Sequence, residues 1–130
     1  MSAENLPENE LSGQIIGAAI EVHRILGPGL LESIYQEALT MELGSRGLDV
    51  KRQVEVPVRY KGNLLAAPLR LDVLVNGLIV VEIKSVERLL AVHEAQLLSY
   101  LKLSDKRLGL PISFNARMLK QSIHRIANDL

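Results

Sequence analysis

Between Leu71 and Lys84 the chain contains two apolar runs, Leu71-Asp72-Val73-Leu74-Val75 and Leu78-Ile79-Val80-Val81-Glu82-Ile83-Lys84, separated by Asn76-Gly77. Runs of this length and β-branched content favour strands, and Asn-Gly is a strong hairpin signal. The second run is apolar almost throughout, as a strand covered on both faces must be. The segment predicts a buried hairpin in the middle of a sheet, and the rest of the chain has to supply the layers that cover it.

Asp72, Glu82 and Lys84 interrupt these runs. An acid inside a buried apolar strand is expensive unless it is paired or binds a cation. Lys84 lies two residues from Glu82 on the same strand face, so an ion pair between them is the simplest account of that strand taken alone. Asp72 adds a third charge from the neighbouring strand. Two carboxylates and a main-chain carbonyl such as that of Ile83 are the hard oxygen ligands that Mg2+ or Mn2+ takes, with waters completing the octahedron. Such an ion would acidify a bound water and stabilise a pentavalent phosphate, and Lys84 would orient or deprotonate that water or neutralise the transition state.

This site has a geometric condition. A strict two-residue Asn76-Gly77 turn sets Val75 opposite Leu78 and Asp72 opposite Val81, which puts Asp72 and Glu82 on opposite faces. A three-residue loop of Asn76, Gly77 and Leu78, with Gly77 left-handed and a bulge, pairs Asp72 with Glu82 instead. The odd-numbered loop is therefore expected.

Around the hairpin, residues 11–26 place Ile15, Ala19, Val22 and Leu26 at helical spacing with Ser12 as N-cap, and Gly27-Pro28-Gly29 then breaks the helix. Residues 31–46 read as a second helix ending near Gly47, so the two form a helical hairpin. Residues 50–60 and 64–75 read as strands joined by a turn at Lys61-Gly62-Asn63, with Pro57 and Pro68 confined to edges, ends or bulges. A third helix over residues 93–103 bears Ala95, Leu98 and Leu101. A short strand follows over 108–114 and a closing helix over 118–127. The order ααβββαβα suits an α/β domain with a mixed sheet flanked by helices.

The chain's 130 residues are enough for one domain, expected over residues 11–130 after an acidic, disordered or extended segment at 1–10. Apolar residues make up 48% of it but only three Tyr and one Phe are aromatic, so Leu, Ile, Val and Ala must build the core. The absence of cysteine excludes disulfides, thiolate metal sites and cysteine nucleophiles. No apolar run approaches the roughly 20 residues that span a bilayer, and the start of the chain lacks the basic and apolar parts of a signal peptide, so a cytoplasmic location is expected. Fifteen basic residues balance fifteen acidic ones, unlike a tight nonspecific nucleic-acid binder. Basic residues do cluster, at Lys51, Arg52, Arg59, Lys61 and Arg70 and again late in the chain, and these read as solvated faces.

His23, His93 and His124 have no zinc-motif spacing; His23 reads as packed on its helix, and His93 as close enough to reach the site. No serine stands in a nucleophile-elbow context, and Gly27-Pro28-Gly29 lacks the glycine-lysine pattern of a phosphate loop. Gln96 and Tyr100, four apart, share one helix face, as Glu32 and Tyr35, three apart, share another.

In combination these residues resemble a known family. Gly29-Leu30-Leu31-Glu32-Ser33-Ile34-Tyr35 is similar to the motif that names the GxxExxY proteins. Asp72, Glu82-Ile83-Lys84 and Gln96-Leu97-Leu98-Ser99-Tyr100 resemble the core motifs of the PD-(D/E)XK nuclease superfamily, with Leu71 where the superfamily's name puts proline. The resemblance implies a restriction-endonuclease-like core, with a four-stranded mixed sheet between helices, and a Mg2+-dependent site cleaving phosphodiesters of nucleic acid, DNA ahead of RNA. Carried over by position, Asp72 and Glu82 are metal ligands and Lys84 the catalytic lysine. Glu32 is a further acid bound to the metal or its water, and Gln96 and Tyr100 support the site or touch the phosphate backbone. Two other readings stand beside the nuclease: an interaction module of the same fold with faded catalysis, forming a homo-oligomer, and a structural ion-pair network with no ligand.

Overall fold

The computed structural model describes residues 8–128. Helix α1, Glu8–Leu26, buries Leu11, Ile15, Ala18, Ala19 and Val22 along one stripe. It starts earlier than its apolar pattern suggests. Glu8 and Glu10 favour the positive end of the helix dipole, so Glu8, Asn9 and Glu10 are helical rather than extended; residues 1–7 of that expected segment lie outside the described residues. Ser12 is consequently inside the helix and not its N-cap, its hydroxyl donating to the Asn9 carbonyl at 2.9 Å.

The chain reverses at Gly27 and Gly29, both at positive φ (71° and 96°), a corner that residues with a Cβ rarely make. Helix α2, Glu32–Ser45, then returns antiparallel to α1. Fully buried Tyr35 fastens the corner: its hydroxyl donates to the Gly27 carbonyl and accepts the Leu30 N–H at 3.1 Å. Its ring stacks on Phe114 with centroids 4.6 Å apart.

The remaining elements are β1 (Val50–Val56), β2 (Arg59–Tyr60), β3 (Asn63–Leu64), β4 (Leu69–Val75), β5 (Ile79–Lys84), α3 (Ala91–Ser104), β6 (Leu108–Ser113) and β7 (Ile126–Ala127). Five strands form a mixed sheet in the order β1-β4-β5-β6-β7, with β5 central and parallel to β6 and the other pairs antiparallel. The expected long strands over 50–60 and 64–75 each divide at a proline. Beyond Pro57 and before Pro68 the chain leaves the main sheet and forms the separate β2–β3 ribbon, turning at Lys61 and Gly62, both at positive φ.

The closing helix expected over residues 118–127 does not form. Leu119–Ser122 makes one 3-10 turn, Ile123 bridges to Ile112, and β7 pairs with β6. Every residue of β6 is buried, so an unpaired outer edge would leave main-chain groups without partners. The C-terminal segment satisfies that edge, which makes the sheet five-stranded rather than four-stranded.

One face of the sheet, with Val73, Val75, Ile79, Val81 and Ile83, packs under α1 and α2. The other face, with Leu71, Leu74 and Val80, packs under α3 through Leu97 and Leu101. Of the three apolar residues picked out on this helix, Leu101 is buried, Leu98 half-buried and Ala95 exposed. A Cβ on Gly109 would lie 2.8 Å from Leu97 Cδ2, so β6 accepts α3 only because it has glycine there. This close seat fixes Gln96 and Tyr100 beside the end of β5. Among the described residues no helix is long and apolar enough to cross a membrane.

Candidate metal centre at the β4–β5 hairpin

The β4–β5 register pairs Val75 with Ile79, Leu74 with Val80 and Val73 with Val81. Asn76, Gly77 and Leu78 therefore form the three-residue loop that the site requires. Asn76 is left-handed as well as Gly77 (φ 53° and 66°), and the Leu78 N–H closes the turn on the Val75 carbonyl at 3.0 Å. Asparagine tolerates this conformation better than most residues, and a long-range bond holds it here: Asn76 Oδ1 accepts the Asp49 N–H at 2.8 Å. Continuing the register sets Asp72 opposite Glu82 with both side chains on the α3 face, which also carries Lys84.

The ladder stops at that point. The Asp72 N–H donates to Glu82 Oε1 at 3.1 Å, and the Ile83 N–H donates to Asp72 Oδ2 at 2.9 Å. Carboxylates thus take the place of main-chain carbonyls between the two strands. The ladder on the other side of β4 is interrupted at the same residue, passing from Arg52↔Val73 to Val54↔Leu71 and leaving out Gln53 and Asp72. Gln53 is left-handed there, at φ 50°. Leu69 and Leu71 pack with the α3-side cluster, but Val73 and Val75 with the opposite one, so β4 changes face at Asp72. Gln36, buried in α2, holds the irregular point of β1: its Oε1 accepts Arg52 Nε and Gln53 Nε2, each at 3.2 Å. A non-glycine residue at positive φ stores strain that its surroundings must hold, and such strain clusters at functional sites. Neither Gln36 nor Gln53 carries a sequence signal, because glutamine has no preference for such a conformation.

Glu82 is 4% exposed. Burial, the charge of Asp72 and a hydrogen bond between the two carboxyl groups push its pKa up to about 8, against the lowering effects of the Asp72 N–H and of Lys84. Glu82 therefore keeps its proton near neutral pH, beside the Asp72 charge. Among the described residues no ion pair joins either acid to Lys84, so the simple Glu82–Lys84 pair is not what stabilises the strand. Lys84 Nζ donates instead to Gln96 Oε1 at 2.9 Å, and Gln96 Nε2 donates to the Tyr100 hydroxyl at 3.1 Å. The half-buried Tyr100 phenol has its pKa raised by burial and then by the charges of Glu82 and Asp72. Five of the six expected side chains therefore gather: Asp72 and Glu82 as a carboxyl pair, and Lys84, Gln96 and Tyr100 as a hydrogen-bonded row alongside.

Glu32 is not brought into the pair. It is exposed in the first turn of α2. The helical corner nevertheless abuts the site, because Ser85, next to Lys84, donates from Oγ to the Leu30 carbonyl at 3.1 Å. Gly29 and Tyr35 build that corner and Glu32 stands just past it, which gives the Gly29-to-Tyr35 motif a physical role. His93, expected within reach of the site, caps α3 instead: its Nδ1 accepts the Leu90 N–H at 2.9 Å. His23 ties α1 to the Ala116 carbonyl at 2.7 Å, and His124 lies 2.8 Å from Glu94.

A model of the PD-(D/E)XK nuclease superfamily matches residues 9–126, nearly the whole chain. The chain belongs to the PD-(D/E)XK nuclease superfamily. No curated protein and no solved structure gives a significant match. Nucleases of this superfamily generally use divalent metals and act on nucleic acids, and the mixed sheet flanked by helices is the restriction-endonuclease-like arrangement expected of a member.

The donor set fits a hard cation. Asp72 and Glu82 supply carboxylate oxygens, and mutual repulsion raises the cost of ionising the pair without a cation. In an extended strand a residue's N–H and C=O point to the same edge; the Ile83 N–H points to Asp72, so its carbonyl faces the same gap between β4 and β5. Among the described residues no three His, Cys, Asp or Glu converge as a metal cage.

Proposed function

We propose that the protein is a metal-dependent nuclease that hydrolyses phosphodiester bonds of nucleic acid, with DNA preferred to RNA. The observation that carries this reading is the buried Asp72–Glu82 pair with Lys84 held beside it by Gln96. Asp72, Glu82 and the Ile83 carbonyl would hold Mg2+ or Mn2+, with Glu32 as an outer acid reaching through water. When bound, the ion supplies Lewis acidity toward the scissile phosphate and acidifies the attacking water. To hold the cation Glu82 would have to be ionised, because a metal-binding carboxylate binds as the anion. The Lys84 ammonium, directed by Gln96, neutralises charge developing on the phosphate, and Tyr100 fixes the Gln96 amide so that its oxygen faces Lys84.

The test is cleavage of labelled single-stranded and duplex DNA and of RNA by the full chain, with Mn2+, Mg2+ or EDTA. Metal-dependent cleavage of DNA, reduced at least about 10²-fold by Asp72→Asn, Glu82→Gln or Lys84→Ala, is expected. No cleavage of any substrate, together with no change in melting temperature on adding Mn2+, would refute the reading. A second reading, an interaction module with faded catalysis that forms a homo-oligomer, is favoured by one observation. Exposed Ile25, Leu26 and Met41 line an apolar groove of about 330 Å3 between α1 and α2. Sedimentation velocity on wild type and Met41→Glu separates the two readings: a dimer broken by that substitution, with no cleavage by either protein, favours the module.

A further inference from the structure

Of the chain's four aromatic residues, Tyr35 and Phe114 are buried against each other and Tyr100 is half-buried beside Gln96. Tyr60 is 62% exposed at the tip of the β2–β3 ribbon. Residues 58–68, which make the ribbon and its flanks, contain Arg59 and Lys61 and no acid. Lys61 Nζ sits 5.5 Å from the Tyr60 ring centroid, so charge and aromatic face share one spot. Exposed Leu64 and Leu65, with Pro57, Pro68 and Arg70, line a groove of about 480 Å3 at the ribbon's root. Glu55, the acid in that groove, is paired with Arg70 at 3.1 Å.

The ribbon stands at the catalytic end of the sheet. The chain leaves β1 at Val56 and re-enters at Leu69, which pairs with it. Asp72 lies three residues further along β4, about 10 Å at strand rise. A ring and two cations projecting from that end of the sheet do nothing for the core, and their chemistry matches one ligand class. A base offers a π-face to an aromatic ring and its neighbouring phosphates offer charge to Arg and Lys. Duplex binding needs many more phosphates neutralised than a chain with balanced charge and two ribbon cations provides. We infer that the β2–β3 ribbon is a single-strand nucleic-acid contact, with Tyr60 stacking on a base and Arg59 and Lys61 on adjoining phosphates of the strand entering the site. This rests on the nuclease reading above.

The experiment measures anisotropy of labelled single-stranded and duplex oligonucleotides with the full chain carrying Lys84→Ala to suppress cleavage. Adding Tyr60→Ala weakens single-strand binding about tenfold or more, the effect of losing one stacked base, whereas Tyr60→Phe stays within about twofold. Arg59→Ala with Lys61→Ala lowers the slope of log affinity against log salt by about 1.4, two phosphate contacts at ~0.7 each. Because the ribbon is exposed, unchanged circular dichroism accompanies each loss. If the Lys84→Ala protein binds no nucleic acid at all, the nuclease reading fails first. If it binds and the ribbon substitutions change nothing, the inference alone is overturned. Equal losses on duplex and single strand overturn the single-strand assignment. A dimer split by Tyr60→Ala with oligonucleotide affinity unchanged makes the ribbon a self-association element and also overturns it.

Discussion

Replacing Glu82 with glutamine should make the protein more stable at alkaline pH. The unfolded chain ionises this carboxyl near 4.5, whereas the folded chain holds its proton up to about 8. Between those values the native state binds more protons than the unfolded state, so stability falls as pH rises. The group does not penalise folding below about pH 4.5, and the full penalty applies above about 8. The difference of about 3.5 pH units, at 1.36 kcal/mol each, gives an upper bound of about 5 kcal/mol, because solvent and side-chain rearrangement relieve part of it. Glutamine is nearly isosteric: its oxygen still accepts the Asp72 N–H, and its amide donates to the Asp72 carboxylate. A gain of at least about 2 kcal/mol at pH 9 raises the melting temperature by roughly 6 °C for a domain of this size. Melting curves in EDTA from pH 4.5 to 9, wild type against Glu82→Gln, measure the difference directly, and the two should coincide at the acid end. Mn2+ should raise the wild-type melting temperature at pH 8, by about 2.7 kcal/mol of stability at a hundredfold excess over Kd, and leave the variant unmoved. A variant no more stable than wild type at pH 9 would refute the claim that an uncompensated buried charge sits there.

Asp72→Asn removes the charge that opposes Glu82 ionisation, so the alkaline loss of stability should be complete at lower pH and be smaller, while the Mn2+ response disappears; the same melts show both. Gln96→Leu and Tyr100→Phe should each reduce metal-dependent cleavage roughly tenfold by releasing Lys84, yet change stability by under about 1 kcal/mol because these positions are not fully buried. Wild-type activity in both variants would show that the Lys84–Gln96–Tyr100 row does not position the lysine. Tyr35→Phe keeps the stack on Phe114 but strands the Gly27 carbonyl and Leu30 N–H, which should cost about 1–3 kcal/mol. Urea unfolding would show a lower midpoint at an unchanged slope.

Much of this molecule is legible in the sequence. The β4–β5 hairpin could be read from two apolar runs and Asn-Gly, because a strand covered on both faces admits few polar residues and those few stand out. The loop parity followed from requiring Asp72 and Glu82 on one face, and the three-residue loop at Asn76–Leu78 meets that requirement. The Gln96–Tyr100 contact followed from helical spacing. The C-terminal segment was misread because its apolar residues fit a helix locally, whereas the edge of β6 that it covers is set by distant chain. Spacing alone does not say which stripe of the apolar helix α3 meets the sheet; Gly109 decides that by admitting Leu97.

The sequence by itself determined the class of the fold and the identity of the charges at its centre, since burying acids in apolar strands is costly enough to mark them wherever they occur. The tertiary structure alone decided their partners. Lys84 turns to Gln96 and not to Glu82, Glu32 stays at the rim, and left-handed Gln53, held by Gln36, breaks the ladder at Asp72 and lets carboxylates replace main-chain bonds. Those outcomes depend on how separate elements approach one another in space, and no local pattern of residues encodes them.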